Sequence, residues 1–172
     1  MSETVDQIFL RASAKSLEQL LSRIHNCLAK LSTDEIWARG HENENAIGNL
    51  VLHLNGNVRQ WIISGVGGAP DTRTRDAEFD ARGGVELAEL RGGLESTVRE
   101  AIIVIGKVTQ QRMTEHVTVQ KYDVTVMESI FHVVEHFAQH TGQIIFVTKM
   151  LTGEDLGFYK HLKAAVHAEK TP

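Results

Sequence analysis

Residues 132–144 read His132-Val-Val-Glu-His136-Phe-Ala-Gln-His140-Thr-Gly-Gln143-Ile and lie in a segment, about 125–151, whose apolar side chains recur at helical spacing. The main apolar stripe of this predicted helix comprises Met127, Ile130, Phe131, Val134, Phe137, Ala138, Thr141 and Ile145. A second apolar edge comprises Val126, Val133, Ile144, Val147 and Leu151. Because more than half of the circumference is apolar, we expect this helix to lie at the centre of a bundle and to end at Gly153.

Three further long helices are predicted from the same periodicity, over residues 5–31, 45–64 and 85–110. Proline occurs only at positions 70 and 172, and a proline inside a helix costs about 3 kcal/mol. The long proline-free stretches therefore favour a protein in which helices form most of the structure.

The connecting segments have a different character. Residues 114–124 alternate and are rich in β-branched side chains, which predicts an extended stretch or a short hairpin strand. A polar loop is predicted over 72–80 and a short helix around 159–166. We therefore predict a single all-α domain, 1–172, that forms a four-helix bundle with a short extended or β segment before its last long helix.

Composition excludes several classes of protein. Lys and Arg together number 18 and Asp and Glu 22, so the net charge of −4 gives no indication of a nucleic-acid partner. The single Cys27 excludes an internal disulfide. No apolar run approaches the roughly 18–20 residues that cross a bilayer, and the first residues lack the pattern of a signal peptide. We therefore expect a cytoplasmic protein that is not bound to a membrane.

His136 and His140 are the residues of the predicted central helix that could form a functional site. Their i, i+4 spacing places both imidazoles on one face, where they could hold one metal ion. Helical phase puts them beside the second apolar edge and puts His132 nearer to a polar stripe. The alternative is that both are hydrogen-bonded core residues. Phe137 follows His136 where a zincin protease would need Glu, so that class is excluded.

His53 offers a third imidazole, on the predicted helix 45–64. It lies on a polar edge of that helix, beside Asn49, Asn57 and Gln60, away from the centre of the apolar stripe. If the helices pack as expected, three neutral imidazoles would suit Zn²⁺, Ni²⁺ or Fe²⁺ and leave a position for water or substrate. Asn49 and Gln143 are candidates to bind the other nitrogens of these rings.

The remaining polar residues are interpreted as ordinary surface groups. The histidines in this class are His25, His41, His116, His161 and His167. The charged cluster Arg73, Arg75, Asp76, Glu78 and Asp80 is interpreted as a solvated loop whose ion pairs contribute little.

Two motifs together resemble the DinB/YfiT-like superfamily of metal-dependent proteins. The first is Ile47-Gly-Asn-Leu-Val-Leu-His53-Leu-Asn-Gly-Asn-Val-Arg-Gln-Trp61, and the second is the stretch 132–144 quoted above. Arg75-Asp-Ala-Glu-Phe-Asp80 between them also fits one branch of that superfamily. Together the motifs span most of the chain, and their combination in this order is far more specific than either histidine pattern alone.

The resemblance implies an up-and-down-type four-helix bundle that binds one divalent metal ion. The implied ligands are His53, His136 and His140, whereas His132 matches a family position that is usually not a ligand. Members of the superfamily are often dimers, so a homodimer is expected. The better understood members use low-molecular-weight thiols, as bacillithiol or mycothiol S-transferases or as a thiol-dependent maleylpyruvate isomerase.

The leading hypothesis is therefore a metal-dependent transferase that joins a low-molecular-weight thiol to a small electrophilic substrate. One alternative is a metal-dependent hydrolase at the same three-histidine site. The other is a non-enzymatic stress protein that binds a metal ion or a ligand. No catalytic residue beyond the three implied ligands is identified from the sequence.

Overall fold

Helices form most of the chain in the computed structural model, which describes residues 2–163. The helices are α1 (Val5–Leu28), α2 (Thr33–Trp37), α3 (Ile47–Val58), α4 (Arg75–Asp80), α5 (Leu87–Ile105), α6 (Val126–Thr152) and α7 (Lys160–Lys163). A π-helical segment, Arg59–Val66, continues α3, and a 3₁₀ turn, Gln111–Thr114, precedes the hairpin strands β1 (His116–Val119) and β2 (Tyr122–Thr125). The predicted all-α bundle with a short β segment before its last long helix is confirmed.

Capping residues set both ends of α6. The Thr125 hydroxyl accepts a hydrogen bond from the Glu128 backbone N–H at 3.2 Å, and the Glu128 carboxylate accepts one from the Thr125 N–H at 2.7 Å. Gly153 ends the helix in the left-handed conformation, with φ of +68°, as predicted.

Helices α1, α3, α5 and α6 form the bundle in an up, down, down, up order. An ion pair between Lys30 and Glu154 joins the ends of α1 and α6, so these two helices run parallel. Ser129 donates to the Trp61 carbonyl, and His53 contacts His136 further along, so α3 and α6 are antiparallel. This order differs from the up-and-down arrangement that the resemblance implied. The connections between consecutive helices of the bundle contain α2, α4 and the hairpin.

The buried face of α6 differs from the predicted main stripe. Val126, Val133 and Ile144 of the predicted second edge are fully buried, whereas Met127 and Phe131 of the main stripe are 44% and 59% exposed. Both edges are apolar, so periodicity alone could not show which one faces the core. The structure places the centre of the buried face between them, at Ile130 and Phe137.

The hairpin packs closely against the π-helical segment that follows α3. Residues 45–64 were predicted as one uniform helix, but the Gly67 N–H bonds the Ile62 carbonyl at 2.8 Å in π-helical, i to i−5, geometry. A Cβ atom at Gly65 would lie 2.6 Å from Val119 Cγ2, so glycine permits this approach of β1. The hairpin therefore covers the end of α3 nearest the histidines.

Helix α4 replaces the polar loop predicted over 72–80, and that prediction was wrong for Arg75–Asp80. Glu78 of α4 is buried because α4 packs against α3. The predicted helix around 159–166 begins as α7, and positions 164–172 lie outside the described residues. No helix among residues 2–163 is long and apolar enough to cross a membrane.

Candidate metal centre

Three imidazoles converge where α3 faces α6. The Nε2 atom of His136 lies 3.1 Å from Nε2 of His53 and 3.1 Å from Nε2 of His140. One ligand atom from each ring lies within 4.8 Å of the other two. The structure therefore brings together the three histidines that the family resemblance implied.

The surroundings of His53 show that the predicted polar edge of α3 is buried. His53 is 6% exposed, and Asn49 and Asn57 on the same face of α3 are equally buried. This face is polar but not solvated, because α4 covers it and supplies hydrogen-bond partners. Polarity along a helix face therefore indicated a buried site here and not the surface.

The outer nitrogens of two rings are held by acceptors. Nδ1 of His53 lies 3.0 Å from Glu78 Oε2, and Nδ1 of His140 lies 2.6 Å from Gln143 Oε1. A carboxylate or an amide oxygen can only accept, so each Nδ1 carries the proton and each Nε2 presents a lone pair. This fixes the tautomer that metal ligation through Nε2 requires.

His136 completes the set and differs from the other two. Burial lowers the pKa of its imidazole to about 3, and His140 and His53 add to the shift, so the ring is neutral at neutral pH. Burial also lowers the pKa of His140, although its hydrogen bond to Gln143 opposes the shift. The Nδ1 atom of His136 is buried and has no hydrogen-bond partner among residues 2–163.

A buried ion pair lies directly behind His53. Arg73 Nε donates to Glu78 Oε1 at 2.7 Å, and Arg73 Nη2 donates to Glu78 Oε2 at 2.8 Å, a bidentate contact. Their side chains are only 4% and 10% exposed, so the interpretation as a solvated loop was wrong for these two residues. The other members of the cluster, Arg75, Asp76 and Asp80, are exposed as interpreted. Burial alone would raise the pKa of Glu78, but the hydrogen bonds from Arg73 and His53 outweigh it and lower the pKa.

Arg73 Nη2 also lies 3.1 Å from His53 Nδ1. The guanidinium hydrogens have the Glu78 oxygens as better acceptors, whereas the carboxylate facing Nδ1 has no hydrogen to give. The proton between Glu78 and His53 therefore belongs to His53, in agreement with the tautomer above.

Hydrogen bonds continue from Arg73 to the hairpin turn. Arg73 Nη1 donates to Gln60 Oε1 at 2.8 Å, and Gln120 Nε2 donates to the same oxygen at 2.6 Å. Gln60 Nε2 donates in turn to Asp71 Oδ2 at 2.7 Å. Gln120 has a positive φ of 52° at the tip of the hairpin. The side chains behind His53 therefore form one network that joins α3, α4 and the hairpin.

Asn49 has a structural role instead of the predicted contact with an imidazole. Its Nδ2 donates to the Glu78 carbonyl at 2.8 Å and to the Ala81 carbonyl at 3.0 Å. Asn49 therefore fastens α4 to α3 and places the Glu78 carboxylate beside His53. Gln143, the other predicted partner, does bind His140.

His132 lies next to the group but outside it. Its ring centroid is 5.5 Å from that of His136 and 4.2 Å from that of Trp61. Burial lowers its pKa, although the charge of Glu135 opposes the shift, so the ring is neutral at neutral pH. His132 is therefore half-buried between the metal centre and an aromatic side chain, and not at the surface.

Three other histidines lie outside this group in the described part of the chain. His116 is exposed and pairs with Asp123 at 3.0 Å, and His41 is exposed near the start of α3. His25 of α1 is partly buried. The side chain of His161 and all of His167 lie outside the described residues.

The donor set fits a divalent transition metal ion. Three Nε2 lone pairs directed at one another repel unless a cation or a proton lies between them. His136 could donate one proton to only one of its neighbours, whereas a metal ion accepts all three pairs at once. Imidazole donors suit Zn²⁺, Ni²⁺ and Fe²⁺, and three ligands leave at least one coordination position open.

The fold and this group of histidines define a DinB-like helical bundle. DinB-like proteins from Bacillus subtilis (YjoA) and Bacillus cereus share the fold, with 14% and 15% identity and TM-scores of 0.66 and 0.67. The matches cover 86% and 91% of this chain and 97% of each relative. A conserved protein from Enterococcus faecalis has 14% identity and a TM-score of 0.68, over 84% of this chain and 97% of its own.

The chain belongs to the DUF1572 family, described as a protein of unknown function, whose model matches residues 4–163. No curated protein matches the sequence. The DinB-like resemblance and its bundle are thus confirmed, whereas the identity of a metal ion and the use of a thiol stay predictions.

Proposed function

We propose that the protein is a divalent-metal-dependent enzyme that transfers a low-molecular-weight thiol to a small electrophilic substrate. The observation that supports the metal centre is the convergence of three Nε2 atoms whose outer nitrogens are held by Glu78 and Gln143 or buried. The DinB-like fold supports the class of reaction, since thiol transfer occurs in that superfamily.

His53, His136 and His140 would hold the ion, and Glu78 would keep His53 in the Nδ1–H tautomer. When bound, a divalent ion supplies Lewis acidity that lowers the pKa of a ligated thiol or water. Arg73 neutralises Glu78, so the carboxylate orients the ring without adding net charge to the centre. The Nδ1 atom of His136 is buried, so this nitrogen is out of contact with solvent.

The competing hydrolase proposal needs a general base beside the ligands. Glu78 is the carboxylate that contacts a ligand, but its two oxygens already accept from Arg73 and His53. A carboxylate so engaged, with a lowered pKa, is a poor proton acceptor. This favours thiol transfer over base-assisted attack by water, because a thiol is more acidic than water and ionises more readily on a metal ion.

The first test measures metal content of tag-free protein by plasma mass spectrometry. Wild-type protein should carry close to one divalent ion per chain, and Ala at any one of His53, His136 or His140 should remove most of it. His116→Ala is the matched control, because His116 is exposed and distant, and it should keep wild-type metal content. Equal metal content in all of these variants would overturn the proposed centre.

The second test measures conjugation of 1-chloro-2,4-dinitrobenzene with cysteine, N-acetylcysteine, bacillithiol and mycothiol. Turnover should require both the thiol and the metal ion and should disappear after chelation. Hydrolysis of ester substrates without any thiol would favour the hydrolase instead. A metal-loaded protein that is inactive with every thiol would favour the non-enzymatic alternative.

A further inference from the structure

A cleft lies beside the metal centre, on the side of the hairpin. It has a volume of about 400 Å³ and is lined by Trp61, Gln120, Tyr122, Val124, Glu128 and His132. A volume of that order accommodates a small organic molecule. The lining comes from three elements, the π-helical segment, the hairpin and α6, so the fold itself forms the cleft.

Aromatic rings form its walls. The rings of Trp61 and Tyr122 are nearly parallel, with centroids 6.4 Å apart and an interplanar angle of 29°. The ring centroid of His132 lies 4.2 Å from that of Trp61. Tyr122 is 62% exposed, which leaves much of its ring free to contact a ligand. Such walls favour a flat, apolar ligand that can stack.

The charges around the cleft favour an uncharged ligand. No Lys or Arg is among the described residues that line it, so an anion would have no cationic side chain to pair with there. The Glu128 carboxylate is the one charged group of the lining, and one of its oxygens accepts from both the backbone and the hydroxyl of Thr125. Glu128 is exposed, so its attraction for a cationic ligand is weak.

His132 connects the cleft with the metal centre. Its ring contacts Trp61 on one side and lies 5.5 Å, centroid to centroid, from His136 on the other. A ring bound in the cleft beside His132 would therefore lie one side chain away from the three Nε2 atoms. A substituent on that ring could reach past His132 towards the ion.

We propose that this cleft binds the uncharged aromatic ring of the electrophilic substrate. Its role as a substrate subsite rests on the function proposed above, whereas binding of the ring itself does not. The class of substrate is thus a small aromatic electrophile, with the ring against the exposed Tyr122 and the reactive carbon directed past His132 towards the three histidines.

The test uses ¹⁵N-labelled protein titrated with three probes of equal ring size: 2-naphthol, 2-naphthalenesulfonate and 2-naphthyltrimethylammonium. The chain has two tryptophans, so its indole N–H region contains two side-chain signals. Trp37 is an internal control, because its Nε1 donates to the Val85 carbonyl at 3.1 Å, away from the cleft. We expect 2-naphthol to shift the Trp61 signal, to leave the Trp37 signal unchanged and to bind more tightly than either charged probe.

Variants locate the binding site. Tyr122→Ala should weaken 2-naphthol binding by roughly fivefold to tenfold, the loss expected for one stacked ring, and Tyr122→Phe should bind like wild type. Phe146→Ala removes an equally exposed aromatic ring of α6 that does not line the cleft, and it should change nothing. The Phe variant retains the ring and therefore separates loss of contact from loss of the hairpin.

The titration is repeated on zinc-loaded and on chelated protein, with metal content measured separately. Binding of 2-naphthol at Trp61 in both samples supports the cleft even if the metal proposal fails. A shift of Trp37 alone, preference for a charged probe, or wild-type affinity in Tyr122→Ala would each overturn the proposal. A protein that binds zinc but not 2-naphthol would retain the metal centre and reject the aromatic subsite.

Discussion

Glu78 Oε2 lies 3.0 Å from Nδ1 of His53, across 25 residues of sequence, and is held there by the Arg73 guanidinium. The contact joins α4 to α3 and determines which nitrogen of His53 faces the other two histidines. Glu78 therefore belongs to the candidate metal centre although it does not face the ion.

The first prediction is that Glu78→Gln weakens zinc binding by roughly tenfold to a hundredfold, as loss of a carboxylate behind a ligating histidine commonly does. The amide cannot provide the same negative partner for His53 and leaves Arg73 with an unpaired buried charge. Competition with a chromophoric chelator measures the affinity. Gln143→Ala is the comparison: it removes a neutral acceptor from His140 and should have a smaller effect.

Glu78→Gln also lowers the stability of the fold, since breaking a buried pair costs roughly 3–5 kcal/mol. Affinity must therefore be measured well below the melting temperature, with circular dichroism as the control for folding. Unchanged zinc affinity in folded Glu78→Gln protein would show that the tautomer of His53 does not depend on Glu78.

The second prediction concerns two glycines inside helices. A Cβ atom at Gly56 of α3 would lie 1.9 Å from Glu78 Oε1 and 2.9 Å from Arg73 Nε, whereas one at Gly92 of α5 would meet nothing within 4 Å. Gly92→Ala should stabilise the protein by roughly 0.5–1 kcal/mol through helix propensity. Gly56→Ala should lower both stability and zinc affinity, because the methyl group displaces the ion pair behind His53.

Thermal melts of the two variants measure the changes in stability, and zinc competition assays measure the changes in zinc affinity. If Gly56→Ala raises stability as Gly92→Ala does and leaves zinc affinity unchanged, the Arg73–Glu78 pair does not pack against α3 as described.

The sequence predicted the bundle well because its signals are local. The stretch around His136 and His140 carries helical periodicity, and the capping residues Thr125 and Gly153 mark where that helix begins and ends. Which apolar edge of α6 faces the core depends on its neighbours, and Met127 and Phe131 were consequently placed in the core although both are exposed. Periodicity gives a helix and its faces but not the packing of one helix on another.

The same limit explains why the sequence did not indicate Arg73 and Glu78 as part of the candidate metal centre. In the sequence, a charged stretch of six to nine residues looks the same whether its ion pairs are solvated or are buried by another helix. Two signals were present: Gly56, which lies opposite Glu78 on α3, and the asparagines of the His53 face. A polar helix face with a glycine in it indicates close packing of another polar element.

The third prediction concerns acid stability and His25 of α1. Burial lowers the pKa of this imidazole, with Arg91 adding to the shift, Glu95 opposing it and Arg99 adding a smaller effect, all three from α5. A histidine with a lowered folded-state pKa binds its proton more readily when unfolded, so it costs no stability above about pH 6.5 and reduces stability as the pH falls below that value.

His25→Gln should therefore lose less stability than wild type between pH 7 and pH 5, as measured by urea unfolding across that range. Identical pH dependence of the two proteins would show that His25 titrates alike in the folded and unfolded states. His116→Gln is the control, since His116 is exposed and distant from His25.

The fourth prediction is that His136 lowers the free energy of unfolding of the metal-free protein and raises it when zinc is bound. The buried Nδ1 of His136 has no hydrogen-bond partner in the described part of the chain, and an unsatisfied buried polar atom costs roughly 1–3 kcal/mol. His136→Leu replaces the ring with an apolar side chain, so in chelated protein it should raise the free energy of unfolding by about 1 kcal/mol.

Wild-type protein should gain about 2.7 kcal/mol at zinc concentrations one hundred times the dissociation constant, and His136→Leu should gain almost nothing. Urea unfolding of both proteins, with and without zinc, measures all four values. A chelated His136→Leu protein that is less stable than chelated wild type would show that His136 contributes to packing, and an equal zinc response of the two would exclude His136 as a ligand.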